Sequence, residues 1–453
     1  MAALALLVSR LAGLTSLTTR LSASLVAEPM RYLGGKAFER KLLVYNLPYR
    51  RLALANDPEI VETVLIDRHS CFPKSAVVTT LLRPMIGAGV FGQQGGDAVR
   101  LARRLFIQAL GRIGDDEVSR IAHSLTEAYI ARWRLAGEEV IIPRELSRLA
   151  VDIVSEVMLG HRFSPEESAR FVDLFFAYHR RAAPVLLMLA RPHPRVLQRV
   201  VGHLGLHEIG SAMRTLIQAR FLAPIAAGEP AASSAPFAKV LLEGAQGSQE
   251  AMLDEIAVML LAGHETTAST LSWLLWELAG QPQRQQATAR ALLGGDPGGE
   301  LADSWRGVAP AALRAALINE ALRLYPPIAF FLREASNDIS LRGKSLRAGD
   351  FIITAPWTLH RHRGRWQDAD SFCPERWIAS LDRPPPASFL PFGFGARSCP
   401  GQRFAYLEMH AIIQLLLSRC RFSRLDAQVP RPFGSLTSRP DREFVLRVEH
   451  RQE

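Results

Sequence analysis

The sequence predicts a mainly α-helical chain with a small β region. Apolar residues recur at helical spacing through most of 117–218. Residues 252–278 form a long apolar stretch almost free of helix breakers. Strand-like runs are few and short, at 42–53, 328–332 and 339–353.

Residues 1–40 read as an N-terminal segment with an amphipathic helix. Leu4, Leu7, Leu11, Leu14, Leu17, Leu21 and Leu25 form a stripe, with Arg10 and Arg20 and no acid before residue 28. A helix docked on the fold, an interfacial membrane helix and a transit-like leader all match that composition. Its longest apolar run, 2–8, is too short to span a bilayer. Residues 42–53 read as strand around a proline turn. Asp57 then caps a helix, with Pro58 in its first turn. Residues 77–96 are apolar and glycine-rich with little period, and 97–110 are helical, carrying Arg100, Arg103 and Arg104. The helices of 117–218 break near 182–184 and 192–194, and 223–235 is a surface loop. Further helices cover 284–293 and 310–324. Residues 339–353 read as a hairpin turning at Arg342-Gly343-Lys344.

Across 453 residues, 48% are hydrophobic, enough for a large core, and no linker cuts 41–453 into separate units. The net charge of +10 admits nucleic acid, an anionic membrane or an acidic protein as partner. The arginines are spread through the chain and no nucleic-acid module is present, so no nucleic acid is expected. Cys71, Cys373, Cys399 and Cys420 lie far apart with no CxxC, which argues against a zinc site or disulfide framework and fits a reducing compartment. A cytoplasmic location is expected, with peripheral membrane contact through the N-terminal segment.

Chemistry concentrates at 391–401, where Gly393, Gly395 and Gly401 surround Cys399. Glycines let backbone approach a ligand closely, and the helix opening downstream favours a thiolate over a thiol. A lone cysteine on such a turn is more often inert. A second irregularity interrupts the apolar helix of 252–278: Ala262-Gly263-His264-Glu265-Thr266-Thr267. Threonine hydroxyls there can bond back to the preceding turn and open the helix locally. A kinked core helix with satisfied hydroxyls is the bland alternative. Glu320 and Arg323 share one helix face at i, i+3.

These segments together resemble the cytochrome P-450 family. Its haem-ligand signature is met by Phe392, Gly395, Arg397, Cys399 and Gly401; its oxygen-activation motif by 262–267; its Glu-x-x-Arg helix by Glu320 and Arg323, with Arg376 completing the triad. The resemblance covers 42–448 and implies one haem domain over 41–453, with a central long helix over a buried haem b. It implies Cys399 as the metal ligand, with Arg397, Arg103, Arg333, Phe392 and Gly401 around the cofactor. Val99 stands where relatives often carry an aromatic or His propionate contact. Thr266 and Glu265 would deliver protons to O2, and His264 would be structural. Residues 77–96 would form a flap over the substrate. Ala262, Ile328, Ala329, Phe330 and Leu436 would line an apolar pocket for a small lipophilic substrate.

The implied reaction is monooxygenation: one oxygen atom of O2 enters a C–H or C=C bond. Electrons come from a separate ferredoxin or flavodoxin-like donor, with Arg100, Arg104 and Arg403 as its docking face. Two other readings compete: a peroxide-driven or isomerising haem-thiolate enzyme, and a haem-based gas sensor. The Glu265-Thr266 pair argues against both.

Overall fold

The computed structural model describes residues 35–451, apart from 47–49, 94–95, 183–193, 231–233, 245–247, 299–301, 379–384, 386, 426–427 and 435. The leucine stripe of the N-terminal segment, the proline turn near Pro48 and the breaks between 183 and 193 lie outside the described residues.

Helices of nine or more residues are α1 (Ala76–Ile86), α2 (Asp97–Gly111), α3 (Asp115–Leu135), α4 (Ile142–Leu159), α5 (Pro165–Ala182), α6 (Pro194–His203), α7 (Leu206–Ile217), α8 (Pro236–Gly244), α9 (Gln249–Ala279), α10 (Pro282–Leu292), α11 (Pro310–Leu324) and α12 (Gln402–Arg419). At 31 residues, α9 is the axis of the molecule. Its apolar residues point in every direction, so it is buried nearly all round rather than along one stripe. Ser248 caps its first turn by accepting from the Ala251 N–H. Arg424 closes its last turn, donating to Trp276 O at 2.7 Å while stacking on the Trp276 ring. Packed against α9 are α4, α10, α11 and α12.

The β region is small. A mixed four-stranded sheet runs β1 (Leu42–Asn46), β2 (Arg51–Ala55), β7 (Phe351–Thr354), β4 (Phe331–Glu334). Only β2 and β7 pair in parallel, from Leu52↔Phe351 to Ala55↔Thr354. A three-stranded sheet joins β3 (Glu139–Ile141), β11 (Val445–His450) and β8 (Cys420–Arg424). Two hairpins, β5–β6 (Ile339–Leu341, Lys344–Leu346) and β9–β10 (Pro432–Gly434, Ser438–Pro440), complete it.

Four sequence expectations need correction. Asp57 makes no capping hydrogen bond. Its carboxylate is claimed by Arg365, Arg342 and Lys41, long-range partners whose charge outweighs a local backbone N–H. Residues 77–96 begin as a helix, α1, because Ser75 supplies an N-cap that the weak period concealed. In the expected hairpin of 339–353, Arg342 and Gly343 do turn with positive φ. Its second half, however, leaves to become β7, where β2 and β4 offer two pairing edges instead of one. The back-bonding threonines do not open α9: Thr266 Oγ1 donates to Ala262 O at 2.9 Å while the helix continues unbroken. Among the described residues, no helix is long and apolar enough to cross a membrane.

Candidate active site

The loop ahead of α12 is shaped by its glycines. Gly393 and Gly395 have φ of 73° and 71°, which other residues rarely adopt. A Cβ on Gly395 would stand 2.4 Å from Leu65 O, so the loop packs backbone to backbone there. The Cys399 N–H donates to Phe392 O at 2.7 Å and closes the loop. Phe392 in turn packs on Tyr406 of α12, ring centroids 5.1 Å apart. Cys399 is a free thiol with exposed surface, yet protein surrounds it, so that surface lies in a recess. Burial pushes its pKa up; a backbone hydrogen bond from Gly401 and the charge of Arg103 work the other way. Those two groups are what a thiolate ligand needs.

Beside the cysteine loop stands a cluster of cations. Lys74, Arg103, Arg333 and Arg397 come from four separate segments and repel one another. Burial, then Arg397, Arg333 and Arg103, lower the Lys74 pKa to about 7. Burial and Arg397 lower that of Arg333 to about 10. Among the described residues, Lys74, Arg103 and Arg333 have no acidic partner within salt-bridge distance; Lys74 donates to Val90 O and Arg333 to Leu332 O instead. Gathering like charges in a half-buried place is costly unless an anion joins them. A dianionic cofactor held beside a cysteine ligand fits this arrangement. Lys74 carries no signal in the sequence; only its bridge to Arg333 across the fold brings it here. Val99 packs on the core and adds no polar contact.

Along α9, Leu261, Ala262, Gly263 and Thr266 are half-exposed, although neighbouring turns are buried. An interior helix shows such a strip where it borders open space. Glu265 faces elsewhere: it is buried, and Thr437 Oγ1 approaches its Oε1 at 3.5 Å. Burial raises its pKa to about 6, against the opposing charge of Arg439. His264 is also buried, donating through Nδ1 to Leu260 O at 2.7 Å, its ring edge-on to Phe171 and Phe175. Thr267 reaches Glu408 of α12 at 3.0 Å. Glu408, missed in the sequence, is fully buried, and burial pushes its pKa up to about 8.

The remaining predicted residues divide. Leu436 and Ile328 are half-exposed, and the Ser438 N–H donates to Pro327 O at 2.6 Å, fastening the β9–β10 hairpin to the chain before Ile328. Ala329 is buried against Trp357, and Phe330 and Phe38 pack on that pair. Glu320, Arg323 and Arg376 come together. Arg323 grips Glu320 through two hydrogen bonds of 2.9 and 2.8 Å, and Arg376 Nε reaches Glu320 Oε1 at 3.2 Å. Arg323 also donates to the carbonyls of His360, Ala369 and Ser371, stitching α11 to the meander before Pro374. Of the three arginines expected to dock a donor, Arg100 pairs with Asp97 and Arg403 with Asp115, while Arg104 is exposed.

A family model described as Cytochrome P450 matches residues 37–447. Cyclooctatin synthase of Streptomyces melanosporofaciens is 26% identical over 426 residues, covering 91% of this chain and 90% of its own. Taurochenodeoxycholic 6 alpha-hydroxylase of Sus scrofa is 27% identical over 414 residues, covering 85% and 80%. The crystal structure of the cytochrome P450DA heme domain superposes with a TM-score of 0.71 at 24% identity, covering 91% of this chain and 90% of that one. The cofactor is haem b, which the cation cluster and the cysteine loop fit. The chain belongs to the cytochrome P450 family.

Proposed function

We propose that this haem-thiolate monooxygenase hydroxylates or epoxidises a lipophilic substrate, with electrons from a separate ferredoxin or flavodoxin-like donor. The observation that carries the reading is the half-exposed strip on α9 formed by Leu261, Ala262, Gly263 and Thr266 within an otherwise buried helix. Haem held through a cysteine thiolate supplies chemistry that favours O–O cleavage. The protein's own groups do the rest. Cys399 would be the thiolate that holds the haem, in a loop closed by its N–H bond to Phe392 O and with the Gly401 N–H turned to its sulfur. Arg103, Arg333, Arg397 and Lys74 would hold the haem's carboxylates. Thr266 presents a hydroxyl, and Glu265, with its pKa near 6, exchanges protons near neutral pH. Ala262, Ile328 and Leu436 border the substrate, backed by Ala329 and Phe330. Glu320, Arg323 and Arg376 lock the fold around the site. A cytoplasmic enzyme, in peripheral contact with a membrane through its N-terminal segment, goes with this reading.

The test is reconstitution of purified enzyme with NAD(P)H, a ferredoxin or flavodoxin system and isotopically labelled O2. Lipophilic candidates are first screened for a haem spin-state shift. One labelled oxygen in the product supports the reading; turnover with hydrogen peroxide alone at the same rate would replace it with a peroxide-driven one. Charge reversal at the exposed Arg100 and Arg104 is expected to slow reduction several-fold at low salt and little at high salt.

A further inference from the structure

The catalytic acid of the proposed function is turned away from the open strip of α9 and faces a small cavity. A cavity of about 10 Å³ lies between α4, α5, α9 and β10, lined by Glu265, Arg439, Ser269, Ser272, Phe176 and Pro143 among others. That is about the smallest space that holds one water, roughly 10–15 Å³. Arg439 borders it from β10. Its guanidinium carbon stands over Phe176, 3.6 Å from the ring centroid, which holds it there. Its Nη1 is buried with no hydrogen-bond partner among the described residues. A buried charged donor left unmade is expensive. No ion pair within 4 Å joins Arg439 to Glu265, so they face each other across the cavity.

We propose that Arg439 is a positioning residue for Glu265, holding the carboxylate toward β10 through one water in the cavity between them. Thr437, two residues before Arg439, steadies the same carboxylate from the same hairpin. To reach Thr266, Glu265 must leave this arrangement, so β10 sets how readily the acid turns. The charged and titratable groups around the pair are Glu443 near β10, Arg144 of α4, His179 and Arg180 of α5, and His264 on α9 itself. Burial pushes His179 to about 3 and His264 to about 4, so both are neutral at physiological pH. Arg439 is then the cation with the largest hold on Glu265. Ser147 lies near the carboxylate but outside hydrogen-bond geometry.

The inference rests on Glu265 being the acid of the proposed function, and its test needs no substrate. Infrared difference titration of the purified holoenzyme, against Glu265→Gln, identifies the Glu265 carboxyl signal. Arg439→Met is expected to raise its midpoint by about one pH unit or more, since an opposite charge nearby typically lowers a carboxyl by roughly 1–3 units. Arg439→Lys is expected to return most of that shift, and Phe176→Leu, which keeps both charges, to raise it by less than Arg439→Met. Arg439→Gln reads the same shift if the methionine variant does not fold. An unmoved midpoint in folded, haem-loaded Arg439→Met or Arg439→Gln overturns the inference. Glu265→Gln retaining full coupling of electrons to product would instead overturn the catalytic reading of Glu265 and leave the Arg439 result standing.

Discussion

Thr267 on α9 donates a hydrogen bond to Glu408 on α12, Oγ1 to Oε2 at 3.0 Å. Glu408 lies nine positions after Cys399, and Thr267 is next to Thr266. One buried contact therefore ties the helix that follows the cysteine loop to the helix that carries Glu265 and Thr266. The Glu408 carboxyl has a raised pKa of about 8, caused by burial.

The linkage has a definite sign. A carboxyl held at about 8 in the fold, against 4.5 ordinarily, binds its proton more tightly folded than unfolded. Stability from that proton is present below about 4.5 and is lost as pH rises through about 8. Glu408→Gln, which cannot ionise, should flatten the decline: its denaturation midpoint should fall less than that of the parent between pH 6 and 9. Parallel pH curves for the two proteins would remove the claim that Glu408 is protonated.

Lys74 should matter for cofactor retention. Its side chain stands near three guanidinium groups, and among the described residues no acid lies within salt-bridge distance of it. A charge-assisted hydrogen bond is worth roughly 1.5–3 kcal/mol. Lys74→Met is expected to release haem to an acceptor apoprotein about ten-fold faster, with the fold intact by circular dichroism. An unchanged release rate would place Lys74 outside the propionate site.

Thr266→Ala removes the hydroxyl that now donates to Ala262 O. NAD(P)H consumption should continue in the reconstituted system while most of it is diverted to hydrogen peroxide. The ratio of product to NAD(P)H measures this, and a ratio equal to the parent's would take Thr266 out of proton delivery.

Much of this site is legible in the amino-acid sequence, and the parts that are not share a cause. Cys399, Glu265, Thr266 and Glu320 lie in short motifs whose chemistry depends on neighbours within a few residues. Pro310 and its helix are legible because a proline start and helical period are local signals. Lys74, Glu408 and Arg439 owe their places at the site to partners on other elements, and nothing adjacent in the chain marks them. Asp57 has every local feature of a cap, yet arginines about 300 positions away, Arg342 and Arg365, take its carboxylate. The second half of the 339–353 hairpin leaves for a sheet that no local pattern announces. Local chemistry decides the first group, and tertiary competition decides the second.

The account turns on Cys399 as the thiolate ligand, and the ferrous–carbon monoxide difference spectrum of the purified holoenzyme tests that most directly. The parent protein should show the red-shifted Soret band diagnostic of haem held by a cysteine thiolate. Cys399→Ser should lose it, whether or not haem is retained. Persistence of that band in Cys399→Ser would contradict the assignment and the monooxygenase reading built on it.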